Sequence, residues 1–166
     1  MQEVGVARAQ LEAVPWSSLR ANGGSGEDVR DLLTTMLFAD DDAEIDQAYR
    51  QIENQVTAQG DLSPCAPAVV SVIMAAAAER GPDDRNLGWV FDLLGLTLVG
   101  FTATWEVELG TRGIRAACYR EAMRGYWSLR RLAGSPGGNP SVPDMAAGLV
   151  GLLEDEAAEP APDRTG

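Results

Sequence analysis

The sequence predicts an all-α domain of about six antiparallel helices, arranged as a short α-solenoid or, alternatively, as a compact helical bundle. Apolar residues recur near a period of 3.6 in one segment after another, which is the pattern of amphipathic helices. Glycine, proline and Asx residues cut the 166-residue chain into pieces of helical length. The first, third and fifth of the main helices start roughly 40 residues apart, close to the period of two-helix repeats. With 45% apolar residues the chain has enough to bury one core. It divides into an N-terminal segment (1–15), a helical domain (16–157) and a polar tail (158–166) expected to be disordered.

Residues 1–14 predict a short helix that ends before Pro15, and ANGGSG (21–26) a flexible loop. From Glu27, the residues Val29, Leu32, Leu33, Met36 and Leu37 mark a first main helix ending near Ala39. Asp40, Asp41 and Asp42 then supply an N-cap and a negative first turn for a second, where the helix dipole favours such charge. That helix shows Ile45, Ala48, Tyr49, Ile52 and Val56 on one face and stops at Gly60. Ser63 as cap and Pro64 at the first position open a third helix, through Val69, Val70, Ile73, Met74 and Ala77. Gly81-Pro82 closes it, and Asp83 or Asp84 caps a fourth with the stripe Leu87, Val90, Phe91, Leu94 and Leu98. A fifth runs from about Thr111 to Ala133 and a sixth from about Val142 to Ala157, separated by GSPGGNPS. Residues 101–109 alternate strictly between apolar and polar, as a strand would. Phe101 and Trp105 also continue the stripe of the fourth helix, and no second alternating segment offers a partner. Helix to about Trp105 is therefore the expectation.

The chain contains no histidine, and its thirteen basic residues are all arginine. That removes His general bases, Ser-His and Cys-His pairs, His metal ligands, Schiff-base chemistry and the lysine of a phosphate-binding loop. Cys65 and Cys118 lie far apart between apolar neighbours and read as buried thiols. Asp40-Asp41-Asp42-Ala43-Glu44 lacks the alternating ligands and central glycine of a calcium loop, so no metal is expected, and no cofactor. The start lacks a cationic stretch followed by an apolar run, which predicts a cytoplasmic protein. The apolar segment 87–101 is too short to span a bilayer and carries Asp92, so no membrane is expected as a partner.

The net charge of −12 argues against nucleic acid, whose phosphates need clustered cations. The charge is unevenly placed: residues 111–133 carry six arginines against Glu121, whereas residues 1–110 carry eighteen acids against six arginines. An acidic body suits a cationic protein partner.

Two stretches carry a resemblance to a known family. LFADDDAEIDQAYRQIENQVTAQGDLSPCAPAVVSVI holds an acidic turn, an alanine-centred helix, a glycine-terminated end and a Pro/Ala-rich next helix. CYREAMRGYWSLRRLAGSPGGNPSVPDMAAGLVGLL places Cys, Ala, Gly and a closing Ala-Ala at related spacing. Together they cover about residues 16–155 and resemble the HEAT-like (armadillo/HEAT-type) helical-repeat proteins of high-GC bacteria. The loop at 134–141 is longer and richer in glycine than a tight repeat turn, and the helix after it lacks an arginine such repeats often carry. The resemblance implies a surface offered to another protein and, for some small members, neutralisation of a toxin. In an up-and-down array of repeats, Asp40, Asp41, Asp42, Asp83 and Asp84 share one acidic rim, with Glu106 and Glu108 on the opposite edge. Trp89, off the main stripe of its helix, is a candidate binding anchor. The expected function is therefore non-catalytic binding of another protein, in its most concrete form a cationic toxin domain. A structural adaptor docking through tryptophans, and an enzyme using carboxylates such as Glu106 and Glu108 with a metal, are the alternatives.

Overall fold

Nine α-helices account for most of the described residues, 5–136 and 141–163, in the computed structural model. They are α1 (Val6–Ala13), α2 (Gly26–Phe38), α3 (Asp42–Val56), α4 (Ala66–Glu79), α5 (Arg85–Leu98), α6 (Thr104–Glu108), α7 (Ile114–Arg124), α8 (Tyr126–Ala133) and α9 (Ser141–Ala158). The all-α expectation holds, although the count exceeds six.

Helix starts follow local chemistry. Ser25 and Asp28 form a reciprocal capping box at α2, with the Ser25 hydroxyl accepting from Asp28 N while Asp28 accepts from Ser25 N. Asp41 caps α3 and Asp84 caps α5. Ser63 does not cap α4. Its hydroxyl donates to Val56 O instead, and the helix begins at Ala66 with Pro67 in its first turn.

The loop ANGGSG is not free. Arg20–Ala21 (β1) and Gly24–Ser25 (β2) pair antiparallel around Asn22-Gly23, and Thr57–Ala58 (β3) pairs with Asp61–Leu62 (β4) around Gln59-Gly60. Gly23 and Gly60 sit at positive φ, as these tight turns require. Helix α5 stops at Leu98 rather than continuing to Trp105. Phe101–Thr102 (β5) then lies parallel to β4, so the strand that sequence left without a partner has one. Its partner is two residues long, too short to show as an alternating segment. The fifth expected helix is broken at Gly125, which is buried against Met74: a Cβ there would stand 2.4 Å from Met74 Sδ.

The core is one cluster. Helix α4 lies at its centre, touching α1, α5, α7 and α8, and buries Val69, Val70, Ile73, Ala76 and Ala77. Helices α2 and α3, α4 and α5, and α8 and α9 pack as sequence neighbours, and α5 also meets α2, α3 and α9. The tail read as disordered carries Asp163, whose carboxylate accepts from Thr102 N and Oγ1; residues 164–166 and the loop residues 137–140 lie outside the described part.

Candidate functional site

The two aspartate turns come together at one end of α2, α3 and α5. Asn86, buried at the start of α5, donates from Nδ2 to Met36 O (2.9 Å) and Ala39 O (3.1 Å), which ties the end of α2 to α5. Arg85 reaches across the gap to Asp40 O and pairs with Asp42 at 2.8 Å. A shallow cleft of about 470 Å³ between the turns is lined by Phe38, Asp40, Arg80, Asp83, Asp84 and Arg85.

Each aspartate has a different task. Asp41 accepts from Glu44 N at 2.9 Å, and Asp84 accepts from Asn86 N and Leu87 N while pairing with Arg80 at 3.4 Å. Asp40, Asp41, Asp42 and Asp83 face solvent, and Asp84 is half-buried. Arg80 lies over the Phe38 ring, as does Arg8, so its position is fixed by packing as well as by charge. The rim is thus acidic with two arginines set into it, which sequence order alone did not reveal.

Trp89 is not a free anchor. It is half-buried against the core and packs on Tyr49, ring centroids 5.6 Å apart, while the Tyr49 hydroxyl donates to Asp92. Burial, with the Asp92 bond next, pushes the Tyr49 hydroxyl above its ordinary pKa.

Glu106 departs furthest from expectation. It is buried, not on an exposed edge, and pairs with Arg20, 86 residues away. Glu108, two residues on, is exposed. The short helix α6 turns the two carboxylates apart, so they do not act as a pair.

Both cysteines are enclosed. Burial pushes the Cys65 thiol up to about 11 and the Cys118 thiol higher, so neither supplies a thiolate nucleophile at neutral pH. Among the described residues no group of three or more His, Cys, Asp or Glu side chains could hold a metal ion. No helix among them is long and apolar enough to cross a membrane.

Other features of the site were hidden from sequence. Arg115 is buried: its guanidinium donates to Leu98 O and Gly100 O and pairs with Glu156 at 2.9 Å, satisfying the end of α5. Trp105 and Trp127 are exposed, whereas Trp16 is buried and donates to Leu11 O. Val99, Phe101, Trp105 and Leu109 form an exposed apolar run along β5 and α6. They fall on the end of α5, on β5 and on α6, and their exposure is visible only once the neighbours of these elements are known. No known protein family, curated protein or solved structure matches the chain.

Proposed function

We propose that this is a non-catalytic protein that binds a cationic protein through its acidic rim, most concretely as an immunity protein covering the basic face of a toxin. The observation that carries this reading is the joining of Asp40–Asp42 to Asp83–Asp84 by Arg85 and Asn86, which sets Asp40, Asp83 and Asp84 on one shallow cleft with solvent-facing Asp41 and Asp42 next in the chain. Carboxylates fixed by caps and ion pairs lose little freedom when a partner docks, and their field speeds encounter with a positive surface. Arg80 and Arg85 make the rim selective: a partner must match a mixed pattern, not a uniform one. The pairing of α2 with α3, α4 with α5 and α8 with α9 goes with a short HEAT-like solenoid, and the single core around α4 goes equally with a compact bundle. A cytoplasmic site of action goes with this reading.

Co-purification from the native host, followed by calorimetry with the partner so identified, tests it. Asn replacements at 40, 41, 42, 83 and 84 retain the helix caps at Asp41 and Asp84 while removing charge. We expect them to weaken binding by about tenfold or more, and the wild-type affinity to fall as salt rises. Unchanged affinity would refute the rim. The exposed run Val99, Phe101, Trp105 and Leu109 favours a second reading, a structural adaptor, which predicts association insensitive to salt.

A further inference from the structure

The chain is acidic, yet its helices α7 and α8 carry an opposite face. Arg120, Met123 and Arg124 lie together in the last turns of α7, and Trp127 follows in the first turn of α8, just past the break at Gly125 (φ −97°, ψ 7°). All four are exposed, and Trp127, at 77%, is the most exposed large apolar side chain among the described residues.

The ring of Trp127 is nevertheless held. It meets the Tyr126 ring edge-on at 5.2 Å, and the Tyr126 hydroxyl donates to Glu154. The edge contact orients an exposed indole that offers a large apolar area. Most of the neighbouring cations are spent. Arg115 is buried on Glu156, Arg131 is tied to Ala77 O and Arg80 O, and Arg130 pairs with Glu154. Among the described residues Arg120 pairs with no carboxylate, and Arg124, 76% exposed, pairs with Glu121 of its own helix. Such a surface pair is weak and exchanges readily for a partner's carboxylate. Beside these residues, the close approach of Gly125 to Met74 leaves a groove of about 250 Å³ lined by Gln10, Ser71, Met74, Glu121, Arg124 and Ser128. Its polar side chains can pair with a docked backbone.

We infer that the outer face of the α7–α8 junction is a second docking surface, for an acidic segment of another protein, with Trp127 as the apolar anchor and Arg120 and Arg124 as its charge contacts. Trp, Tyr, Arg and Met are the residue types that concentrate in the energetic centres of protein interfaces. A long polyanion such as nucleic acid, or an anionic membrane, meets the repulsion of the acidic body over a wide area, whereas a short acidic segment meets few carboxylates besides Glu121 and Glu154.

The test uses the full chain and a short fluorescein-labelled peptide of glutamates around one leucine and one phenylalanine, followed by anisotropy. We expect saturable binding that Trp127→Ala and Arg120→Glu/Arg124→Glu each weaken by about tenfold or more. Arg50→Glu, on the exposed face of α3, should leave the affinity within about twofold. Thermal melts of each variant should match the parent, because none of these side chains is buried. Absence of peptide binding would overturn the inference. So would equal weakening by Arg50→Glu, which would show that net charge alone matters. Tighter binding to phosphatidylserine vesicles or to a single-stranded oligonucleotide than to the peptide, lost with Trp127→Ala, would assign the face to a different partner and overturn it as well.

Discussion

Cys65 sits at the N-cap position of α4 with its thiol enclosed, 3.1 Å from the Ser63 hydroxyl. Burial disfavours the thiolate and lifts the folded pKa from 9.0 to about 11, while the Ser63 bond opposes this weakly. An acid whose folded pKa is raised contributes stability that is fully present below the unfolded value and is lost as pH rises through the folded one. Stability should therefore fall between pH 9 and about 11, by up to about 2 kcal/mol from this thiol. Denaturant melts across that range check it: Cys65→Ala should be flatter than the parent, with the remaining slope coming from Cys118 and buried tyrosine. An identical slope in both would show that the thiol is not enclosed. The enclosure of Cys65 was expected from its apolar neighbours, and a cap was expected among Asp40–Asp42 and at Asp83 or Asp84; the hydrogen bonds single out Asp41 and Asp84. The burial of Glu106 was not legible in the sequence, since its partner Arg20 comes from the far end of the chain and a strict alternation of polar and apolar residues looks the same whichever face is inside.

Among the elements, α2 and α9 lie within a residue of the expected span, whereas α3 ends at Val56, a turn short of the expected stop at Gly60. Breaks imposed by tertiary contact were not legible. Gly125 falls inside an unbroken apolar stripe from Ile114 to Leu132, and an isolated glycine is ordinarily tolerated there. What makes it special is Met74 of α4: a Cβ at Gly125 would lie 2.9 Å from Met74 Cβ and Cγ and closer to its sulfur. Gly125→Ala gains up to about 1 kcal/mol in helix propensity. It also forces apart two helices whose contact is fixed at the inflexible end of the methionine, an overpacking cost of about 1–3 kcal/mol. The steric cost wins, so Gly125→Ala should lower the melting temperature. Adding Met74→Ala should recover part of the loss in a double-mutant cycle, because the clashing Cγ and Sδ atoms are removed. Additive effects of the two substitutions would mean that the helices do not meet at this point.

On the scale of the molecule, stability is not shared evenly. Helix α4 is walled by α1, α5, α7 and α8 and buries side chains on most of its circumference. Helix α1 rests mainly on α4, and Glu79 at the end of α4 accepts from its first amides, Val6 N and Ala7 N. Helix α9 lies on α8, α5 and α7 and presents Ala147, Gly148 and Glu154 to solvent. Any opening that exposes the amides of Val70, Ile73 or Ala76 must first displace several neighbours. Opening of α1 requires the loss of little besides its contacts with α4. Native-state hydrogen exchange in mild denaturant should therefore give α4 the free energy of global unfolding, with α1 and the end of α9 lower. The intermediate elements separate the two arrangements of the helices. In a solenoid each pair depends on its nearest neighbours, so α2–α3 and α8–α9 should open as separate units below the global value. In a bundle all helices share one core, and α2, α3, α5 and α8 should merge with α4 into one cooperative transition. Exchange from α4 at a lower free energy than from α9 would contradict its central position in either arrangement.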